Sequence, residues 1–170
     1  MKACKSLVLV LVGWWLTGLA SADNFGPLPD WSLTASNGAR VSRGELDGKV
    51  VVLEFWASWC LICRQQVPTF VTLQKRYNDQ GLRVVGFSFD QDQAVHADWV
   101  KSVGLNYPSI FARSGPALQV VRSLVERVGP VESIPTTLVV NRQGNIVFRH
   151  NGYLPPDELE KVVKGLLAQP

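Results

Sequence analysis

The chain has 170 residues, of which 46% are hydrophobic and 18% charged, with a formal net charge of +3. This length holds one ordinary domain, and the apolar content excludes a disordered tail. Without Lys2 and Lys5 the balance is about +1, which excludes a strongly basic nucleic-acid binder, and three cysteines are too few for a disulfide-stapled miniprotein or a self-contained zinc site.

The chain opens on Met1-Lys2-Ala3-Cys4-Lys5, continues in an apolar run from Leu7 to about Ala20, and reaches the small-residue site Ala20-Ser21-Ala22. A basic start, a short apolar middle and an Ala-x-Ala end describe a secretory signal peptide over residues 1–22. The run is short for a membrane span of roughly 20 residues, so an uncleaved anchor is the alternative. Cys4 precedes the apolar run and is badly placed for lipid attachment. The expected location is periplasmic or otherwise extracytoplasmic, with membrane contact only through an uncleaved leader. Two cysteines then remain in oxidising surroundings, where a pair is either a structural bridge or a working redox couple.

Residues 23–170 read as one domain. Trp31 to Ala35 and Arg40 to Ser42 flank Asn37-Gly38 and predict a β-hairpin. Lys49 to Trp56, with the continuous run Val50-Val51-Val52-Leu53, suits a central strand buried on both faces. A helix follows from about Cys60 to Gln80, with Pro68 inside it as an expected kink and Gly81 as its stop. Leu82 to Phe89 is a second buried strand, Asp92 to Val103 an amphipathic helix closed by Gly104, and Ser109 to Phe111 a short strand. Pro116 to Arg127 is helical. Thr136 to Val140 and Asn145 to Arg149 are strands joined by Asn141-Arg142-Gln143-Gly144. Pro155 and Pro156 open a last helix with Asp157 and Glu158 in its first turn. This order describes an α/β fold, a mixed sheet with helices on both faces, whose crossovers predict parallel early strands.

Cys60-Leu61-Ile62-Cys63 directly follows the buried strand and opens the helix. There the first sulfur lies beside unpaired backbone N–H groups, which together with the helix dipole favour the reactive thiolate. Cys60 is thus the candidate nucleophile. Cys63, one turn on, is the group that attacks a mixed disulfide. Three other readings are weaker. A c-type haem needs Cys-x-x-Cys-His, but Arg64 follows Cys63. Zinc would need two more ligands, and His96 and His150 both read as surface residues. A purely structural bridge gains least across so short a loop.

The segment Phe55-Trp56-Ala57-Ser58-Trp59-Cys60-Leu61-Ile62-Cys63-Arg64, with Pro68, Ile134-Pro135-Thr136-Thr137 and the Asn141–Gly144 turn, resembles the thioredoxin superfamily. Within it, the likeness is to the TlpA/ResA/CcmG-like exported thiol-disulfide oxidoreductases, from about Pro27 to the C-terminus. The resemblance implies a thioredoxin-like three-layer sandwich with the N-terminal hairpin as an extension. It implies a cis Ile134–Pro135 bond facing the cysteines, with Ile134, Pro135 and Thr136 presenting backbone to a substrate segment. It also places Glu54, which interrupts an apolar strand, at the buried acid of thioredoxin, where a raised pKa would let it take the Cys63 proton. A strand-edge Glu54 reaching solvent is the alternative. Gln66 departs from the glutamate that related proteins often carry there, which weakens assignment to the cytochrome-maturation branch.

Trp59 is a candidate partner contact or a half-buried packing residue, Trp56 a core residue, and Glu132 a loop charge near the proline. Leu61-Ile62 contains no histidine that would make the pair a strong oxidant, so the reducing half of the range from about −270 to about −120 mV is expected. The expected activity is reduction of disulfides in client proteins. The Cys60–Cys63 bridge would be the only redox group, without metal or organic cofactor, and a membrane thiol-electron donor would restore the dithiol. Competing readings are an oxidant of the same fold, a non-catalytic binding or chaperone module, and a peroxidase of the related peroxiredoxin group, whose nucleophile normally lacks this Trp-Cys-x-x-Cys arrangement.

Overall fold

Alternate residues of the run that begins at Val50 pack on opposite faces of one sheet, because side chains of a strand alternate in direction. In the computed structural model, which describes residues 24–170, this run is a fully buried strand. The proposed leader, with Lys2, Cys4 and Lys5, lies outside the described residues.

The elements in chain order are β1 (Ser32–Thr34), β2 (Arg40–Ser42), β3 (Val50–Trp56), α1 (Leu61–Tyr77), β4 (Leu82–Ser88), α2 (Gln93–Val103), β5 (Ser109–Phe111), α3 (Gly115–Val128), β6 (Thr136–Val140), β7 (Ile146–Asn151) and α4 (Pro156–Leu167). β1 and β2 form a separate antiparallel pair. The main sheet has the order β5-β4-β3-β6-β7. β3 pairs parallel with β4 and β4 with β5, while β6 is antiparallel to β3 and β7. This is the thioredoxin-like α/β fold with an N-terminal hairpin that the sequence implies.

On one face, Val51, Leu53 and Phe55 of β3 meet Val121, Leu124 and Val128 of α3, together with Leu33 and Val41 of the hairpin. On the other, Val50 and Val52 meet Phe70 and Leu73 of α1 and Leu159 and Val163 of α4. Trp56, at the C-terminal end of β3, joins Cys60, Cys63 and Val100 in a third, smaller cluster. Alternation therefore puts Glu54 on the α1 side, between Val52 and Trp56.

α1 runs unbroken through Pro68 and ends in a short 3-10 turn, Asn78–Gln80. Gly81 stops it at φ 95°, in the left-handed region where glycine carries no side-chain penalty. β7 runs to Asn151 rather than Arg149, because Asn151 pairs with Thr136 and its Oδ1 accepts the Thr136 hydroxyl at 3.1 Å.

Candidate active site

The site lies at the C-terminal end of β3, where the chain leaves the sheet and enters α1. Cys60 is the N-cap of α1 in extended conformation (φ −82°, ψ 108°), and its Sγ accepts the Cys63 backbone N–H at 3.2 Å. An N-cap side chain normally offers oxygen to this orphan donor; here it offers sulfur. The two cysteines are disulfide-bonded, with their Cα atoms 5.2 Å apart. Both cysteines are buried, Cys60 at 8% exposure and Cys63 at 1%, so the first is the less enclosed of the two. On reduction, the Cys63 N–H and the positive end of α1 would remain aimed at the Cys60 sulfur and favour its anion.

The Ile134–Pro135 bond is cis. The Ile134 carbonyl oxygen lies 3.8 Å from Cys60 Sγ, so backbone of this loop flanks the reactive sulfur. Pro135 is buried and its carbonyl accepts the Gly152 N–H at 2.7 Å. Thr136 is buried too, its hydroxyl donating to the Ser133 carbonyl at 2.7 Å. Its side chain thus braces the loop from inside. Trp59, Leu61 and Ile62 are 63%, 67% and 48% exposed, an apolar rim around Cys60, whereas Trp56 is fully buried. Glu132 is exposed.

Glu54 is buried on the α1 side, so the solvent-reaching alternative does not hold. Its Oε1 accepts the Tyr107 hydroxyl at 2.7 Å. Burial pushes its pKa up from 4.5 to about 8, and the Tyr107 hydrogen bond only partly opposes this. Burial, then the charge of Glu54, pushes the Tyr107 phenol well above its ordinary value. Gln66, one turn beyond Cys63, is buried and structural: its Nε2 donates to Thr137 Oγ1 at 3.5 Å and its Oε1 accepts the Leu154 N–H at 3.3 Å. Thr137 is the β6 partner of Glu54, which puts the acid beneath the first turns of α1.

Gly86, the β4 partner of Glu54, is required by crowding. A Cβ there would lie 2.9 Å from Trp56 Nε1, 3.1 Å from Ser109 Oγ and 3.2 Å from Glu54 Oε1. Gly86→Ala should therefore destabilise by about 1–3 kcal/mol, read as a lower urea midpoint at unchanged slope; an unchanged midpoint would show that these side chains yield freely.

Three polar residues near the pair were not apparent from local sequence. His96 is a correction: it is completely buried, with Nε2 2.9 Å from Ser109 Oγ and its ring edge-on to Trp56. It occupies an inward position of α2 one turn before Val100, which the apolar count of that helix does not reveal. Tyr107 and Asp90 reach Glu54 and Ser58 across 53 and 32 residues of chain. An acid directly after a buried strand was the one available hint for Asp90. Among the described residues no three His, Cys, Asp or Glu side chains are grouped as metal ligands.

Comparison with known proteins agrees with this geometry. The AhpC/TSA family model matches residues 26–149. The thioredoxin-like protein YneN of Bacillus subtilis is 31% identical over 167 residues, covering 91% of this chain and 92% of that protein. The thiol-disulfide oxidoreductase ResA of the same organism is 28% identical over 130 residues, covering 76% of this chain and 68% of ResA. Among solved structures, a thiol:disulfide interchange protein of the thioredoxin family from Chlorobium tepidum superposes with a TM-score of 0.76 at 26% identity, covering 84% of this chain and 96% of its own.

Proposed function

The chain belongs to the AhpC/TSA family and is a thioredoxin-like thiol-disulfide oxidoreductase, and from that premise we propose that it is exported and reduces disulfides in client proteins. The observation that carries the reading is the Cys60 sulfur at the N-cap of α1, bonded to a Cys63 that is more deeply buried than Cys60 itself. In the reduced protein the Cys60 thiolate attacks one sulfur of a client disulfide and expels the other as a thiolate. Cys63 then attacks the Cys60 sulfur, releasing the second client thiol and leaving the Cys60–Cys63 bridge. Two electrons pass to the client, and a thiol donor, in our reading at the membrane, returns them.

Glu54 takes the Cys63 proton in the second step. A carboxyl with a pKa of about 8 is a competent base only near and above neutrality, so resolution should quicken as pH rises through that region. A client segment lies along the Ile134–Pro135 backbone, which Thr136 braces, and against the apolar rim of Trp59, Leu61 and Ile62. The bridge suffices without metal or organic cofactor. Export is supported by Lys2 and Lys5, the apolar run after them and Ala20-Ser21-Ala22.

The direction of electron flow is tested by equilibrating the pair with glutathione. Leu61-Ile62 places no histidine beside the cysteines, so the reduction potential should fall below about −195 mV. A potential near the about −120 mV of the strong periplasmic oxidant would reverse the proposed direction.

A further inference from the structure

Asp90 lies just past β4, and its side chain is fully buried. Oδ1 accepts both the Ser58 backbone N–H, at 2.9 Å, and the Ser58 hydroxyl, at 2.8 Å. Oδ2 accepts the Ser88 hydroxyl at 2.7 Å, and Ser88 Oγ in turn accepts the Asp90 N–H at 3.0 Å. Among the described residues no cationic side chain forms an ion pair with it. The carboxyl is thus met by three donors, two of them from one residue. Burying such a group is costly even when it is well bonded, so stability alone is a poor reason to place it there.

What it holds is the turn that delivers Cys60. Ser58 lies two residues before Cys60, between β3 and α1. That turn is closed by the Cys60 N–H to the Ala57 carbonyl at 3.1 Å, and tied to the chain after β4 by the Phe89 N–H to the Trp56 carbonyl at 2.7 Å. The short grip of Cys60 Sγ on the Cys63 N–H depends on where this turn sets the N-cap.

We propose that Asp90 is a positioning residue for the redox pair, clamping Ser58 so that the Cys60 sulfur stays seated on the Cys63 N–H. The proposal rests on Cys60 being the attacking sulfur. The clamp and the charge of Asp90 act on the Cys60 thiolate with opposite signs. Losing the clamp weakens the N–H contact and disfavours the thiolate, whereas losing a nearby buried negative charge favours it. Asp90→Asn keeps an acceptor for Ser58 and removes the charge; Asp90→Ala removes both. Ser58→Ala removes one of the two bonds to Oδ1 and keeps the charge. Glu54, Tyr107 and His96, the ionisable groups facing this region from β3, the segment before β5 and α2, are untouched in all three.

The test is alkylation of the reduced full-length chain by iodoacetamide across pH, with the modified cysteine identified by mass spectrometry and folding checked by thermal melts. Asp90→Ala should place the Cys60 midpoint about one pH unit above that of Asp90→Asn, which shares its loss of charge, and so lower the rate about tenfold relative to Asp90→Asn on the acid side of both midpoints. Ser58→Ala should raise the midpoint of the unsubstituted chain by less than this, and Asp90→Asn should leave it unchanged or lowered. A midpoint in Asp90→Ala no higher than that in Asp90→Asn would overturn the clamp. Should Asp90→Ala not fold, Ser58→Ala decides: a raised midpoint supports the clamp and an unchanged one overturns it. Labelling that falls first on Cys63 in the unsubstituted protein would instead overturn the assignment of the nucleophile.

Discussion

Cys60→Ser is expected to slow reduction of a disulfide-bonded client by on the order of 10³-fold or more, because a serine hydroxyl in place of the N-cap sulfur cannot enter disulfide exchange. Cys63→Ser should behave differently. Cys60 would still attack, so one covalent bond to client forms per chain. Nothing then resolves it from within, and the mixed disulfide accumulates. The asymmetry follows from position and burial: Cys60 is the N-cap of α1 and keeps 8% exposure, while Cys63 lies one turn on at 1%. Counting client equivalents bound per chain, with the linkage mapped by mass spectrometry, separates the two variants. Equal turnover in both would show that the cysteines are not divided into attacker and resolver. A binding module with incidental cysteines would trap nothing in either.

The second large effect concerns Glu54 and the pH dependence of stability. Its pKa is about 8 in the folded protein against an ordinary 4.5, and the cause is burial. Below the ordinary value both folded and unfolded chains hold the proton, and the favourable contribution is complete. Between 4.5 and about 8 the folded chain keeps a proton that the unfolded chain has released, so stability falls as pH rises, by roughly 1.4 kcal/mol per pH unit. Above the folded value the loss is complete. Across the window this is on the order of several kcal/mol, a large share of a typical domain's 5–15 kcal/mol. Glu54→Gln retains an acceptor for Tyr107 and cannot ionise. Urea unfolding at pH 5 and at pH 8 should therefore show the unsubstituted chain losing stability and the variant holding it. Parallel behaviour of the two would mean that Glu54 does not retain its proton in the fold. The same variant should resolve mixed disulfides more slowly and lose the acceleration of that step toward alkaline pH; an unchanged pH–rate profile would remove Glu54 from the proton transfer.

Local signals carried much of this in advance. Val50 to Leu53 suited a strand buried on both faces, and Gly81 and Gly104 marked the helix ends, where both adopt positive φ. The position of Cys60 between a buried strand and a helix was enough to place it at the start of α1, where it is the N-cap. The cis bond at Ile134–Pro135 came from family likeness rather than from pattern, since nothing in Ile-Pro-Thr-Thr by itself dictates the isomer.

What stayed hidden has one physical origin, which is contact across the sheet. Glu54 was recognisable as an odd charge in an apolar strand, but not its partner Tyr107, which arrives from the segment before β5. Apart from following a buried strand, Asp90 carries no local mark of its role, and only the parallel pairing of β3 with β4 brings it under Ser58. His96 read as a surface residue because a single histidine does not disturb the apolar pattern of α2; the groups that enclose it, Trp56 and Ser109, belong to other elements.

Separate titration of the two cysteines in the reduced, unsubstituted chain bears most directly on the mechanism. Cys60 should ionise well below the about 8.5 of a free cysteine, and Cys63 above it. A Cys60 that ionises at or above that value, or a Cys63 that ionises first, would contradict an N-cap thiolate as the source of reactivity.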